Sequence, residues 1–348
     1  MSDDKQAPTE RGIDAAAVML AARKLEQGKL VAFPTETVYG LGGDAEDPAA
    51  IAAIYAAKGR PANHPVIVHV SPEADIAYWA ASVPVEARRL IASFWPGPLT
   101  LILKRAPHIP DAVAGGQDSV GLRCPSHPVA QALLREFRGG KGGIAGPSAN
   151  KFGHVSPTTA AHVREEFGDD EDGLVDYVLD GGQSDVGIES TIVDLSRIDT
   201  HGPVLLRPGH ISADQIAAVL GVMPAAPDAA APRASGTLDA HYAPHTPVVQ
   251  VQPDELAAVL AKLADAGKKV ALISRTGDAH RVAVTQAMPQ EADAYAHDLY
   301  AALRDMDHAG CDIIVVEALP LTAQWQGVND RLRRAAFDSQ GILERLGR

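Results

Sequence analysis

From Gly221 to Pro247 the chain reads GVMPAAPDAAAPRASGTLDAHYAPHTP, a run of Ala, Pro and Gly with neither the 3.6-residue nor the two-residue hydrophobic period. A segment of this kind cannot continue a core, so the 348 residues divide into two domains. The division expected is a disordered N-terminus at 1–12, a large domain at 13–220, an extended linker at 221–246 and a smaller domain at 247–348. Hydrophobic residues make up 46% of the chain, enough for a sizeable core.

Before the break, short β-branched runs alternate with helical patterns. KLVAF, PVIVHV, LTLILK, SVGLRC, GGIAG, LVDYVL, STIVDL and PVLLRP read as strands bounded by Gly, Pro or Asp. Residues 14–26, 49–57, 85–94, 129–137, 159–167 and 213–220 carry apolar residues at helical spacing. Eight strands and six helices make an α/β domain. After the break, PVVQV, KKVALIS and CDIIVVEAL alternate with helical patterns at 254–266, 292–308 and 328–337. This predicts a small parallel sheet of βαβ units, Rossmann-like in outline.

Four cations stand at the ends of predicted elements. Lys58 and Arg60 follow a helical pattern and precede Pro61, while Arg123 and Arg207 close strands. Proline biases Arg60 toward extended backbone, where residues two apart share a face. A compact lysine charge and a planar arginine fork together suit triphosphate or carboxylate oxygens. Thr35, Glu36, Thr37 and Tyr39 lie just past a strand end, where open α/β sheets bind ligands. GPSAN offers Ser148 and Asn150 beside glycine and alanine that let a ligand approach the backbone. ESTIVDL offers Ser190 and Thr191 at a strand start, and His69 is a polar residue inside the apolar run VIVHV. Gathered along one sheet edge, these residues would form a cationic pocket for an anionic nucleotide and a small carboxylate. Taken singly, each is equally a turn cap, a helix terminus or a surface charge.

Several chemistries are excluded. Gly40, Gly42 and Ala45 match G-x-G-x-x-A, but no helix opens at them and no acidic residue follows at the required distance, so the stretch reads as a turn. No G-x-x-x-x-G-K-[ST] is present. The only cysteines, Cys124 and Cys311, are far apart and read as reduced structural thiols; with no H-x-x-x-H, no protein metal site is expected. The net charge of −13 opposes broad binding to a polyanion. No signal peptide and no run of the ~18 apolar residues a membrane span needs are evident, so a cytoplasmic protein without a membrane partner is expected.

The ordered set PTETVYGLG, KGRPANHPVIVHV, WPGPLTLIL, VGLRCPSHP, GPSAN, STIVDL and LLRPG resembles the YrdC-like family of threonylcarbamoyl-AMP synthases. With ASGTLDAHYAP in the linker and GVNDRLRRAA near the end, the chain resembles the longer two-domain form. The resemblance implies an N-terminal YrdC-like twisted mixed sheet with helices, and a smaller C-terminal Rossmann-like domain. It implies a nucleotidyltransferase that converts L-threonine, bicarbonate or CO2 and ATP to threonylcarbamoyl-adenylate and pyrophosphate. The product would pass to a separate transferase complex that modifies tRNA beside the anticodon, while binding of tRNA itself is expected to be weak.

By the same resemblance Lys58, Arg60, Ser148, Asn150 and Arg207 form the ATP set, with Thr35 and Tyr39 on the wall and Lys58 and Arg60 catalytic. His69, Arg123 and Ser190 resemble the threonine site, and His241 and Tyr242 the lid. Mg²⁺ would be held mainly by phosphate oxygens and water. The family motif usually reads NPL where this chain has His64, Pro65 and Val66. Two other readings stand beside this one: an RNA-binding module without catalysis, and a carbamoyltransferase of the hydrogenase-maturation type. The 5% aromatic content and acidic balance speak against the first, and the missing zinc-finger cysteines against the second.

Overall fold

The computed structural model describes residues 13–168, 173–276, 281–339 and 341–346. The expected disorder of 1–12 lies outside these residues. The larger sheet runs through β1 (Val31–Phe33), β2 (Gly40–Asp44), β3 (Ile67–Val70), β4 (Leu99–Lys104), β5 (Ser119–Arg123), β6 (Gly143–Ala145), β7 (Tyr177–Val178), β8 (Thr191–Asp194) and β9 (Val204–Arg207). Their order is β7-β1-β2-β6-β3-β5-β4-β8-β9, mixing parallel and antiparallel pairs. In β3, His69 is paired with Arg123 on one side and Ile144 on the other. This register puts the two polar side chains side by side in the middle of the sheet.

Most elements form where the pattern puts them. The helix Ala15–Glu26 begins at Asp14, whose carboxylate accepts from the Ala16 and Ala17 N–H groups. The helix Ala213–Leu220 starts with a capping box between Ser212 and Gln215. The clearest correction is β2, where the sequence predicts a turn. GLGGD is a fully buried strand, paired antiparallel with β1 and β6. A Cβ on Gly42 would lie 2.9 Å from the Val31 carbonyl oxygen and 3.0 Å from Ile144, so close packing, and not a turn, explains the glycine.

In the second domain, β10 (Val248–Val251), β11 (Val270–Ser274), β12 (Val284–Ala287) and β13 (Ile313–Glu317) form a parallel sheet in the order β10-β13-β11-β12. The pattern lacked β12, an edge strand whose residues alternate between half-buried and exposed. Separate apolar clusters fill each domain, and one crosses between them. It joins Val38, Val155 and Ile188 of the first domain to Tyr242 of the linker and Tyr300, Trp325 and Val328 of the second. The domains therefore share a core at the place where the linker returns.

Candidate active site

A narrow cleft, mostly closed over by the linker, sits over the centre of the large sheet. It is lined by Arg60, His69, Arg123, Ser148, Ser190 and Arg207, drawn from five separate stretches of sequence, together with Thr37, Glu189 and the linker residues Ser235, Gly236, His241 and Tyr242. Three of the four cations expected at element ends, Arg60, Arg123 and Arg207, thus converge.

Each wall has a local cause. The helix Pro48–Lys58 ends at Gly59, which takes φ 63° in the left-handed region that glycine adopts without penalty. That turn separates the two cations that were expected to share a face. Lys58 Nζ donates to the carbonyls of Ser148 and Asn150, both at 2.5 Å. Arg60 instead reaches the Pro65 carbonyl at 2.7 Å and Ser235 Oγ at 3.1 Å. Lys58 therefore shapes the 148–150 loop from below, while Arg60 faces the cleft. The His64 carbonyl accepts from Tyr55 Oη at 2.6 Å, and its ring packs edge-on against Phe152 at 5.5 Å. Phe152 in turn packs against His241 at 5.9 Å, so the His64 ring buttresses the linker at His241.

Arg123 is anchored by three partners: Nε donates to Gly97 O at 3.3 Å, Nη1 to Thr37 Oγ1 at 2.8 Å, and Nη2 pairs with Glu36 Oε1 at 2.7 Å. Arg207 donates to Ser190 O at 3.0 Å, Ser190 Oγ at 3.2 Å and Ser235 O at 2.8 Å, tying the cleft wall at Ser190 to the linker. Ser190 Oγ also shares a 2.7 Å hydrogen bond with Thr100 Oγ1.

Four predicted residues are buried beneath the cleft without lining it; their donors are spent on nearby carbonyls, and Asn150 Oδ1 alone among their acceptors is buried without a partner. Besides Lys58, Thr35 donates to Val38 O at 2.6 Å, Asn150 Nδ2 donates to Lys151 O and His154 O, and Tyr39 Oη donates to Gly182 O at 2.7 Å. Of the Thr35–Tyr39 segment expected at the pocket, Thr37 lines the cleft while Glu36 stands behind it, and Glu189, Ser235 and Gly236 line it with no role foreseen from sequence. Glu189 is the first residue of the ESTIVDL motif, and Ser235 and Gly236 stand in the linker motif, so the signal was present but carried no role.

Burial and mutual repulsion set the charges. Desolvation, reinforced by Arg60, holds the Lys58 amine well below the usual lysine range. Burial lowers Arg60 to about 10 despite the opposing pull of Tyr55 and Tyr242. His69 is held down to about 3 by burial and then by Arg123. His241 is likewise held to about 3, by burial first, against the upward pull of Glu189 and with Lys58, Arg60 and Arg207 adding to the lowering. For Glu189 burial pushes upward, but Arg331, Arg207 and the Ser156 hydroxyl bring it down to about 2. The cleft is thus a preorganised cationic cavity whose histidines are neutral, suited to polyanions.

Linker residues close it. Arg233 donates to Asn63 O at 3.2 Å and Gly115 O at 3.0 Å, and Ser235 Oγ donates to Pro65 O at 3.0 Å. Tyr242, at φ 60°, is buried between the cleft and the second domain, with the Arg331 guanidinium 5.5 Å from its ring centroid and Tyr300 at 5.8 Å.

Comparison with known proteins agrees with this architecture. Residues 23–209 match the family described as "Telomere recombination", and residues 211–337 match "Threonylcarbamoyl-AMP synthase, C-terminal domain". The chain is 38% identical to the threonylcarbamoyl-AMP synthase of Pyrococcus abyssi, over 92% of this chain and 94% of that one. It is 37% identical to the Bacillus subtilis threonylcarbamoyl-AMP synthase, over 91% and 92%. The crystal structure of P. abyssi Sua5 complexed with L-threonine superposes with a TM-score of 0.84 at 36% identity, covering 93% of this chain and 95% of that one. With both domains, the linker and the cationic cleft accounted for, the chain belongs to the threonylcarbamoyl-AMP synthase family in its two-domain form.

Proposed function

We propose that the cleft over the large sheet is where this chain, a nucleotidyltransferase of its family, joins L-threonine, bicarbonate or CO2, and ATP into threonylcarbamoyl-adenylate, releasing pyrophosphate. The observation that carries this placement is the convergence of Arg60, Arg123, Arg207, His69, Ser148 and Ser190 on one cavity roofed by His241 and Tyr242. A relative at 36% identity has been crystallised with L-threonine, which supports an amino-acid site here.

Arg60 and Arg207 face the phosphates, with Ser148 at the loop that Lys58 and Asn150 hold in shape. Thr35 and Tyr39 stiffen the segment behind it. His69, Arg123 and Ser190 receive threonine, its carboxylate approaching the Arg123 fork. Threonine's amine attacks carbon dioxide or bicarbonate to give a carbamate, whose oxygen then attacks the α-phosphate and expels pyrophosphate. Charge grows on phosphoryl oxygens and the leaving group, and fixed cations stabilise it without reorganisation. Among the described residues no group of three or more His, Cys, Asp or Glu could hold a metal ion. Mg²⁺ would be held mainly by the phosphate oxygens of ATP and by water, and would supply charge neutralisation on the leaving pyrophosphate. The lid residues His241 and Tyr242 keep water from the labile adenylate.

We further propose that the product passes to a tRNA-modifying transferase complex in the cytoplasm, with only weak contact between this acidic chain and tRNA. Among the described residues no helix is long and apolar enough to cross a membrane. Pyrophosphate release from ATP, with threonine and bicarbonate omitted in turn, tests the assignment. Release should require both, and release indifferent to threonine would sink it.

A further inference from the structure

Carboxylation of threonine needs a base. The amino acid arrives as an ammonium ion at neutral pH, and its nitrogen has no electron pair to give until a proton leaves. Arg60, Arg123 and Arg207 line the cleft but cannot accept a proton. Glu189 is consumed: Oε1 accepts from Ser156 Oγ at 2.5 Å, and Oε2 from Tyr300 Oη and Arg331 Nε, both at 2.8 Å. Glu36, behind the wall, is taken by Arg123 and by the Ser126 N–H at 3.1 Å. His241 Nδ1 already accepts the Tyr242 N–H at 3.0 Å.

His69 differs from all of these. It lines the cleft, its side chain is buried, and its Nδ1 has no hydrogen-bond partner. The space beside that atom is kept by Gly146, on which a Cβ would lie 2.9 Å from Nδ1. Phe33 packs edge-on against the imidazole at 5.5 Å and fixes its plane. An unpaired buried ring nitrogen is costly, and one at a cleft wall is completed when a bound ligand supplies its partner.

Resting on the activity assigned above, we propose that His69 is the catalytic base of the carboxylation step, its Nδ1 taking a proton from the threonine ammonium. One N–H bond breaks, the proton moves to Nδ1, and the electron pair stays on nitrogen. That pair attacks the carbon of CO2 as a C=O π pair moves onto oxygen. The second nitrogen proton leaves to water, giving the carbamate anion and an imidazolium that returns its proton to solvent after turnover.

The charges around His69 fit this role. Arg123 of β5 lies beside it and disfavours the imidazolium, Glu36 partly offsets Arg123, and β1 and β6 present the Phe33 ring and the backbone of Ile144 and Gly146. Burial and then Arg123 keep the free imidazole neutral against the upward pull of the Ile144 backbone. Threonine's carboxylate and the ATP phosphates then add the negative charge that stabilises the protonated ring.

The test is steady-state pyrophosphate release by His69→Gln and His69→Ala from pH 6.5 to 9.5, with circular dichroism and ATP binding as checks on folding. At pH 7 kcat should fall by about 10²–10⁴-fold, the range for lost general base catalysis. The deficit should then shrink by roughly tenfold per pH unit toward the amine pKa, as solution supplies free amine. Added imidazole should restore part of the His69→Ala activity. Should His69→Ala not fold, the pH profile of His69→Gln decides. A pH-independent deficit, or activity within about threefold of the parent, overturns the base while leaving a threonine-dependent enzyme intact. A parent protein that releases pyrophosphate without threonine overturns the activity assignment, and the base with it.

Discussion

Arg331 Nε lies 2.8 Å from Glu189 Oε2, and both side chains are buried, although 142 residues separate them. Arg331 comes from the second domain and also donates to the carbonyls of Glu189 at 3.0 Å and Pro208 at 2.6 Å. Glu189 immediately precedes Ser190 on the cleft wall, so the second domain sets the position of a site residue it does not itself contain.

Removing one partner of a buried ion pair leaves an uncompensated charge and costs about 3–5 kcal/mol. Arg331→Met should therefore destabilise the protein on that scale in urea unfolding. Combining it with Glu189→Gln should cost less than the sum of the single changes, whereas additive losses would show that the two residues are not coupled.

Lys58→Met removes the donor that two loop carbonyls share. Each buried carbonyl left without a partner costs about 1–3 kcal/mol. The 148–150 loop should lose its shape, and pyrophosphate release should drop by roughly a hundredfold, the scale expected when reacting groups are misplaced by about an ångström. Unchanged turnover in a folded Lys58→Met protein would remove Lys58 from the site.

Tyr242→Ala empties a fully enclosed space at the shared core. A loss of about 3–5 kcal/mol is expected from aromatic truncation, with faster proteolysis of the linker and faster hydrolysis of the adenylate product. If neither turnover nor product hydrolysis changed, Tyr242 would not act as a lid.

Acid should weaken the fold in a defined window. His69 and His241 are held near 3 in the folded chain, while their unfolded value is about 6.5. Between those values the unfolded state binds more protons than the folded one, so stability falls as pH falls below about 6.5, by about 1.4 kcal/mol per pH unit for each histidine. Replacing His241 by Asn should flatten the dependence of Tm on pH between 6.5 and 4.5; an unchanged slope would show that His241 is not buried neutral.

Two glycines should respond differently to alanine. Gly42→Ala drives a methyl group into the Val31 carbonyl and Ile144 and should cost about 1–3 kcal/mol. Gly59→Ala meets nothing within 4 Å, and only its φ of 63° resists, so about 1–2 kcal/mol is expected. Chemical denaturation of both variants separates overpacking from backbone strain.

Residues with strong side-chain signals were readable in advance. Helices 85–94 and 213–220 and strand β4 fall where apolar spacing puts them, because each helix buries one face of its side chains and β4 is a continuous apolar run buried on both faces. Glycines give no such signal, so β2 became visible only once Val31, Phe33 and Ile144 were packed around it. Strand β12 was hidden for another reason, since an edge strand does not need a continuous apolar face.

The same division holds at the site. Arg60, His69, Arg123, Ser148, Ser190 and Arg207 were identifiable as chemistry-bearing residues at element ends, and the sheet brings them together. Local sequence determined the elements, the break at the linker, the ordered motifs and hence the family, because hydrophobic period and residue chemistry act over a few neighbours. Only the tertiary structure decided that Lys58 supports the loop while Arg60 faces the cavity, that Glu189 is spent on Arg331, and that His69 keeps an acceptor free. Those outcomes depend on which polar atoms are satisfied by distant partners, and hydrogen bonding across many tens of residues has no local signature.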